Sequence, residues 1–274
     1  MELCDTHCHI QSIGEKSGEP VTKNLWTKAG DISPDNVIKK AKVAGVKQLV
    51  CVGCDLADSR LAIDFVQSRD GCWSSAGIHP HEASSYVSNK VARQVFAKLA
   101  TARKVVAIGE CGLDYHYDHS PKEAQFEILK FQIELAIQYD LPLIFHVREA
   151  FDDFWPIFES YHSSAKPIRG VLHSYTDSAA NLERALRHGL FIGVNGIATF
   201  TKQIEQLEIY RTIPLENLVL ETDAPFLTPS PYRGNVCEPY HILVIAEFLA
   251  RLRKETVASL AEATTRGSKQ LFGI

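Results

Sequence analysis

A His-x-His pair near the start of the chain is the first feature that suggests chemistry. His7 and His9 follow residues 2–5, a segment that we predict to be a β-strand. Side chains two residues apart in an extended chain point to the same side, so both imidazoles are able to reach one cation. Taken alone, the pair is equally consistent with ordinary core or surface histidines.

Four other apolar segments also end on an ionisable residue. Segments 104–110, 142–146, 170–173 and 217–223 close on Glu110, His146, His173 and Asp223. Desolvating such groups is costly unless they are paired or bound to a metal. Together with the first pair they form a mixed nitrogen and oxygen donor set, which suits Zn, Mn, Ni, Co or Fe, and less specifically Mg. Six donors are too many for one tetrahedral ion and suit two ions, with Glu110 as the natural bridge.

These donors need a scaffold that gathers the ends of distant segments. Eight β-branched or apolar segments alternate with amphipathic ones, and we predict strands at 2–5, 48–53, 72–78, 104–110, 142–146, 170–173, 191–194 and 217–223. Strands that alternate with helices pair in parallel through right-handed crossovers. Eight of them in a chain of 274 residues favour an α/β fold, a single TIM (β/α)8 barrel over residues 1–274. In such a barrel the carboxyl ends of all the strands meet at one face, which brings the six donors into one cavity.

Helix signals support this alternation. Ser33-Pro34 and Ser120-Pro121 each open a predicted helix, the second of which runs to about residue 139. Residues 238–272 are expected to form two helices. The segment 11–31 is expected to be a long irregular loop over the mouth of the barrel. Trp26 within it is interpreted either as a ring that stacks on a base or as a packing residue.

The overall charge limits how this chain handles polyanions. It carries 29 basic and 33 acidic residues, a formal net charge of −4. A protein that grips nucleic acid mainly by charge is normally basic, so a few placed groups or bound cations must do this work. No apolar run approaches the roughly 20 residues that cross a bilayer. The seven cysteines show no repeated spacing, and we predict a cytoplasmic protein without a membrane segment or an obligate protein partner.

Five motifs together resemble those of the TatD-type metal-dependent hydrolases, a group within the amidohydrolase-like superfamily. They are Asp-Thr-His-Cys-His at 5–9, Gly-Ile-His-Pro-His at 77–81, Gly-Glu-Cys-Gly-Leu-Asp-Tyr at 109–115, Pro-Leu-Ile-Phe-His-Val-Arg at 142–148 and Glu-Thr-Asp-Ala-Pro at 221–225. The resemblance extends from residue 5 to about residue 239. It implies a metal-dependent TIM barrel with deoxyribonuclease or exonuclease activity on DNA and a divalent cation.

By this resemblance, two metal ions share the six donors. His7, His9 and Asp223 match the ligands of one ion, His146 and His173 those of the second, and Glu110 bridges them. The chain departs from the family pattern at two places. Asp177 stands where the family usually has glycine, and the segment 231–239 lacks two of the family's basic residues.

Four other residues are candidate contacts for substrate. His79 and His81 close the third predicted strand, and each is interpreted either as structural or as a substrate contact. Arg148 lies two residues beyond His146, where it would pair with a phosphate or support a ligand carboxylate, and Arg233 is given the same role.

The sequence therefore predicts a nuclease. Water activated by two metal ions attacks a phosphodiester bond of single-stranded DNA, or of RNA, with Asp223 as the proton acceptor. A second hypothesis keeps the site but assigns it to a small-molecule amidase, lactonase or phosphoesterase, since one fold serves many substrates. The third hypothesis is a metal-binding scaffold without catalysis.

Overall fold

One parallel sheet of eight strands forms the centre of the protein. The computed structural model describes residues 1–15, 20–30, 32–163 and 167–274. Each strand is hydrogen-bonded to the next in chain order. The strands are β1 (Leu3–Cys8), β2 (Val46–Cys51), β3 (Cys72–Ala76), β4 (Val105–Asp114), β5 (Leu143–Arg148), β6 (Gly170–Leu172), β7 (Phe191–Val194) and β8 (Leu218–Leu220). The predicted TIM barrel is confirmed.

The seam between β8 and β1 closes at the level of the histidine pair. A parallel bridge joins Cys8 to Ala224. The Asp223 amide donates to the His7 carbonyl at 2.8 Å, and the His9 amide donates to the Ala224 carbonyl at 2.7 Å. The backbone itself therefore holds the end of β1 beside the chain that leaves β8.

Helices cover the outside of the sheet. They are α1 (Pro20–Lys28), α2 (Pro34–Val43), α3 (Leu56–Val66), α4 (Lys90–Leu99), α5 (Lys122–Tyr139), α6 (Phe151–Tyr161), α7 (Ala179–Arg187), α8 (Ile204–Thr212), α9 (Ile242–Arg253) and α10 (Val257–Phe272). Ser33 caps α2 as expected, since its hydroxyl accepts a hydrogen bond from the Asn36 amide. Ser120 does not cap α5, since its hydroxyl accepts a hydrogen bond from the Ser84 amide and donates to the His81 carbonyl. No helix in the described ranges is both long and apolar enough to cross a membrane.

The expectation of an irregular segment over 11–31 is wrong for much of its length. Helix α1 occupies Pro20–Lys28, and residues 16–19 and 31 lie outside the described residues. Trp26 is only 2% exposed, and its indole nitrogen donates to the His9 carbonyl at 3.0 Å. The glycines on either side of this segment hid the helix from the sequence analysis. In the fold, the Trp26 ring of this helix packs against the end of β1. Trp26 is therefore a packing residue and offers no face to a base.

The strands place apolar and ionisable side chains in successive layers. Ile144, Val171 and Val219 belong to one buried apolar cluster, and Leu271 and Phe272 of α10 are part of it. Side chains two positions further along a strand point to the same side. This period takes Ile144 to His146 within β5, while His173 directly follows β6, and Glu221 and Asp223 follow β8. A dry layer therefore lies below the polar groups at the carboxyl ends of the strands.

Candidate metal centre

His7, His9 and Asp223 come together where β1 and β8 end. The two Nε2 atoms of the histidines lie 3.3 Å apart. Asp223 Oδ1 lies 3.7 Å from His7 Nε2 and 3.4 Å from His9 Nε2. Both imidazoles are buried, with 0% and 5% of the side chain exposed. Three donor atoms thus form a compact triangle inside the barrel mouth.

Backbone contacts fix this triangle. His9 Nδ1 lies 2.9 Å from the Val52 carbonyl oxygen, which can only accept, so Nδ1 carries a proton and Nε2 is the nitrogen that faces Asp223. Asp223 has a φ of +59°, a left-handed conformation that aspartate tolerates better than most residues. Just below, the Asp5 carboxylate accepts hydrogen bonds from the Thr222 amide and hydroxyl at 2.9 and 2.6 Å. The seam of the barrel therefore sets the positions of all three donors.

Glu110 lies between this triangle and a second group of imidazoles. Its Oε2 is 3.3 Å from His7 Nε2, while its Oε1 is 2.8 Å from His146 Nδ1 and 3.8 Å from His173 Nε2. Burial would raise the pKa of Glu110, but the nearby imidazoles of His7 and His173 and the hydrogen bond from His146 lower it well below its usual value. Glu110 is thus an anion within reach of both groups.

Carboxylates position the second group. His146 Nε2 lies 2.9 Å from Asp114 Oδ2, and His173 Nδ1 lies 3.0 Å from Glu221 Oε1. Burial lowers the pKa of His146, but its hydrogen bonds to Asp114 and Glu110 outweigh this and raise it to about 9. Gly112 allows this arrangement, because a Cβ there would lie 1.8 Å from the His146 carbonyl oxygen. Only glycine lets β4 pass close enough to β5 for Asp114 to reach the ring.

The donor set fits divalent metal ions. A tetrahedral ion with ligand bonds of 2.0–2.1 Å has about 3.4 Å between neighbouring donors. The triangle of His7, His9 and Asp223 has sides of 3.3, 3.4 and 3.7 Å. His79, Glu110 and His146 offer a second set whose donor atoms lie within 4.8 Å of one another. Imidazole and carboxylate donors suit Zn, Mn, Co, Ni and Fe.

The structure thus brings the six sequence-predicted donors into one cluster, with one difference in grouping. His146 and His173 both approach Glu110, but their ring centroids are 6.4 Å apart. The compact donor group around His146 contains His79, whose Nε2 lies 3.7 Å from Glu110 Oε1. Burial and the neighbouring His146 lower the pKa of His79 well below its usual value, which keeps this imidazole neutral and able to donate a lone pair.

The other predicted contact residues have separate environments. His81 Nε2 lies 3.1 Å from Asp114 Oδ2. Arg148 is exposed, and its guanidinium stands 5.1 Å from the ring centroid of Tyr117. Arg233 is held within its own loop, since it donates to the Thr228 carbonyl at 2.8 Å and lies over the Phe200 ring.

Sequence reasoning missed two carboxylates of the site, Asp114 and Glu221. The strand prediction ended at Glu110, but β4 continues to Asp114. Continuing the two-residue period from Glu110 through Gly112 would have placed Asp114 on the same side. Glu221 directly follows β8, so its place at a strand end was the available signal for it.

The barrel and the donor cluster together define a class, that of (β/α)8 hydrolases with metal-binding side chains at the carboxyl face of the strands. Comparison with known proteins gives the family. The sequence profile described as "TatD related DNase" matches residues 4–273. The chain belongs to the TatD-related DNase family.

Individual relatives agree with this assignment. A Bacillus subtilis protein named "Uncharacterized metal-dependent hydrolase YabD" is 34% identical over 272 residues, which cover 99% of each chain. The "3'-5' ssDNA/RNA exonuclease TatD" of Escherichia coli K12 is 35% identical over 247 residues, or 88% of this chain and 93% of that protein. The crystal structure of YjjV, a TatD homologue from E. coli K12, superposes with a TM-score of 0.85 at 25% identity over 99% of this chain and 98% of that one.

Proposed function

We propose that this protein is a divalent-metal-dependent exonuclease that removes nucleotides from the 3' end of single-stranded DNA or RNA. Family membership indicates a hydrolase of phosphodiester bonds, and the E. coli relative is named for the 3'-5' activity. The observation that carries the proposal is the position of Glu110, 3.3 Å from His7 and 2.8 Å from His146, within reach of both donor groups.

We assign His7, His9 and Asp223 to one ion, His146 and His173 to a second, and Glu110 to both. His79 is an additional donor beside the second ion, since it approaches Glu110 at 3.7 Å. Divalent cations at such a site supply Lewis acidity and positive charge opposite a phosphate. That charge is needed because the chain has a net charge of −4.

Asp223 is the proposed proton acceptor. Its carboxylate is 15% exposed and opens toward the mouth, whereas Glu110 is 6% exposed between the imidazoles. Burial would raise the pKa of Asp223, but the hydrogen bond with His9 and the nearby His173 lower it. The carboxylate is therefore ionised at neutral pH, ready to accept a proton from the attacking water and to deliver it to the leaving oxygen.

A metal-reconstitution assay tests the function. The purified protein is stripped with EDTA, reloaded with Mg, Mn, Zn, Ni or Co, and incubated with 5'-labelled single-stranded DNA, RNA and duplex DNA. We expect a ladder that shortens from the 3' end of the single strands, and no ladder with Asp223→Asn. An absence of cleavage with every metal would rule the proposal out.

A cleft beside the centre favours a second candidate, a small-molecule esterase, lactonase or phosphoesterase. Glu149 and Asp177 line this cleft together with Arg148. Two acids beside one base reduce the positive potential that a polyanion requires. Adding p-nitrophenyl esters, a lactone and bis(p-nitrophenyl) phosphate to the same assay separates the candidates, since hydrolysis of these compounds without oligonucleotide cleavage favours the second.

We also propose a cytoplasmic location. None of the seven cysteines, all of which lie in the described ranges, forms a disulfide bond, and six of them are buried. Cysteines outside disulfide bonds are typical of a reducing compartment.

A further inference from the structure

The loop that follows β4 presents an aromatic ring at the mouth of the barrel. Tyr117 is 46% exposed. Among the Phe, Tyr and Trp side chains that the structure describes, only Tyr117 and Tyr232 are exposed. Buried tyrosines of this protein instead use their hydroxyl groups within the fold, as Tyr175 and Tyr210 do in bonding to backbone carbonyls. Almost half of the Tyr117 side chain therefore remains accessible to a ligand.

Neighbouring groups hold this ring in place. The Tyr117 amide donates to Asp114 Oδ1 at 3.1 Å, which fixes the loop to the end of β4. The Arg148 guanidinium lies 5.1 Å from the ring centroid, within cation–π range, and the ring of His81 lies 5.5 Å away at a steep angle. The rings of His116 and His119 also lie near it, with centroids 4.7 and 5.7 Å away, so the Tyr117 ring is held by several neighbours before any ligand arrives. This reduces the entropy that binding must overcome.

The ring is linked to the metal centre by a single carboxylate. Asp114 Oδ2 approaches both His81 Nε2, at 3.1 Å, and His146 Nε2, at 2.9 Å. Asp114 also pairs in register with Arg148 across β4 and β5. Tyr117 and Arg148 therefore both adjoin the carboxylate that positions His146.

We propose that Tyr117, supported by Arg148, is a stacking platform for the nucleobase next to the scissile phosphodiester. This inference rests on the proposed nuclease function and names the part of the site that recognises a nucleotide. Stacking of one base on an aromatic side chain changes affinity by about 5- to 150-fold and tolerates any base, because every base has a π-face. An acidic protein gains from such a contact, since stacking requires no net positive charge.

Kinetics with abasic oligonucleotides test the platform. The metal-loaded enzyme and its Tyr117→Ala, Tyr117→Phe and Tyr232→Ala variants are compared on single strands that carry all their bases, or lack the base of the terminal or the penultimate nucleotide. We expect Tyr117→Ala to lower kcat/KM about tenfold, mainly through KM, on the complete strand and less than twofold when the stacked base is missing. Tyr117→Phe keeps the ring and should restore the rate, whereas Tyr232→Ala is the matched control that removes an exposed tyrosine from another loop.

Fluorescence supplies a readout that does not depend on turnover. A strand with 2-aminopurine at either position, protected by a phosphorothioate at the terminal linkages, should be quenched on binding to the wild type and to Tyr117→Phe, but not to Tyr117→Ala. If Tyr117→Ala lowers kcat/KM equally on complete and abasic strands, or on neither, the stacking platform is overturned while the nuclease proposal stays intact. A wild type that cleaves no oligonucleotide overturns both.

Discussion

The two halves of the metal centre orient their imidazoles by different means. In the half formed by β1 and β8, the acceptor for His9 Nδ1 is the backbone carbonyl of Val52, at 2.9 Å. In the half formed by β4, β5 and β6, the partners are carboxylates, Asp114 for His146 at 2.9 Å and Glu221 for His173 at 3.0 Å. A backbone acceptor is fixed by the fold, whereas a carboxylate also makes the imidazole a stronger donor.

The two halves therefore depend on different parts of the structure for the orientation of their imidazoles. The β1/β8 half is a property of the closed seam, where the Asp223 amide is bonded to the His7 carbonyl. The β4–β6 half depends on two side chains that a single substitution can remove. Substitution of Asp114 or Glu221 should therefore affect only the β4–β6 half, whereas substitution of Glu110, the proposed shared ligand, should affect both halves.

Glu110→Gln should have the largest effect, because Glu110 approaches both halves. We expect activity to fall at least about a thousandfold, since several kcal/mol of charge stabilisation depend on the ions. Metal analysis should show a lower content of both proposed ions than in the wild type. Glu159→Gln, on the outer surface of α6 and paired with Arg184, is the matched control. Near-normal activity of Glu110→Gln would remove the bridging role.

Asp114→Asn and Glu221→Gln should have intermediate effects that are confined to one half. Loss of a supporting carboxylate typically weakens metal binding 10- to 100-fold, so one of the two ions should bind more weakly by about that factor. Competition with a chromogenic chelator measures the two affinities separately. Asp140→Asn, an exposed partner of Arg169, is the control. Equal weakening of both ions would contradict the division into halves.

The smallest of the expected effects is the pH dependence of the unfolding free energy of the metal-free protein. The pKa of His146 is about 9 in the fold, against an ordinary value of 6.5. A histidine with a raised folded pKa stabilises the fold fully below pH 6.5, and this contribution is lost as the pH rises toward 9. In EDTA, urea unfolding should therefore show lower stability at pH 9 than at pH 6.5. Asp114→Asn should reduce that difference by on the order of 1 kcal/mol. An identical difference in both proteins would show that Asp114 does not hold the proton on His146.

Much of the fold could be predicted because its signals are local. Runs of apolar residues mark strands that are buried on both faces, and all eight predicted strands occur. The ends of the strands were predicted less accurately, since β4 continues four residues beyond Glu110 to Asp114. Helix α1 was missed because Trp26, which anchors it to the end of β1, does so through a tertiary contact.

The sequence by itself determined which residues have metal-binding chemistry and that a parallel barrel gathers them at one face. Residue type and the two-residue period of a strand are local properties, so they are readable without coordinates. Only the tertiary structure decided that His79 joins the donors around His146, that Asp114 and Glu221 orient the imidazoles, and that Arg233 is bound within its own loop. These relations are distances between residues far apart in the chain, and they depend on how closely neighbouring strands and loops pack.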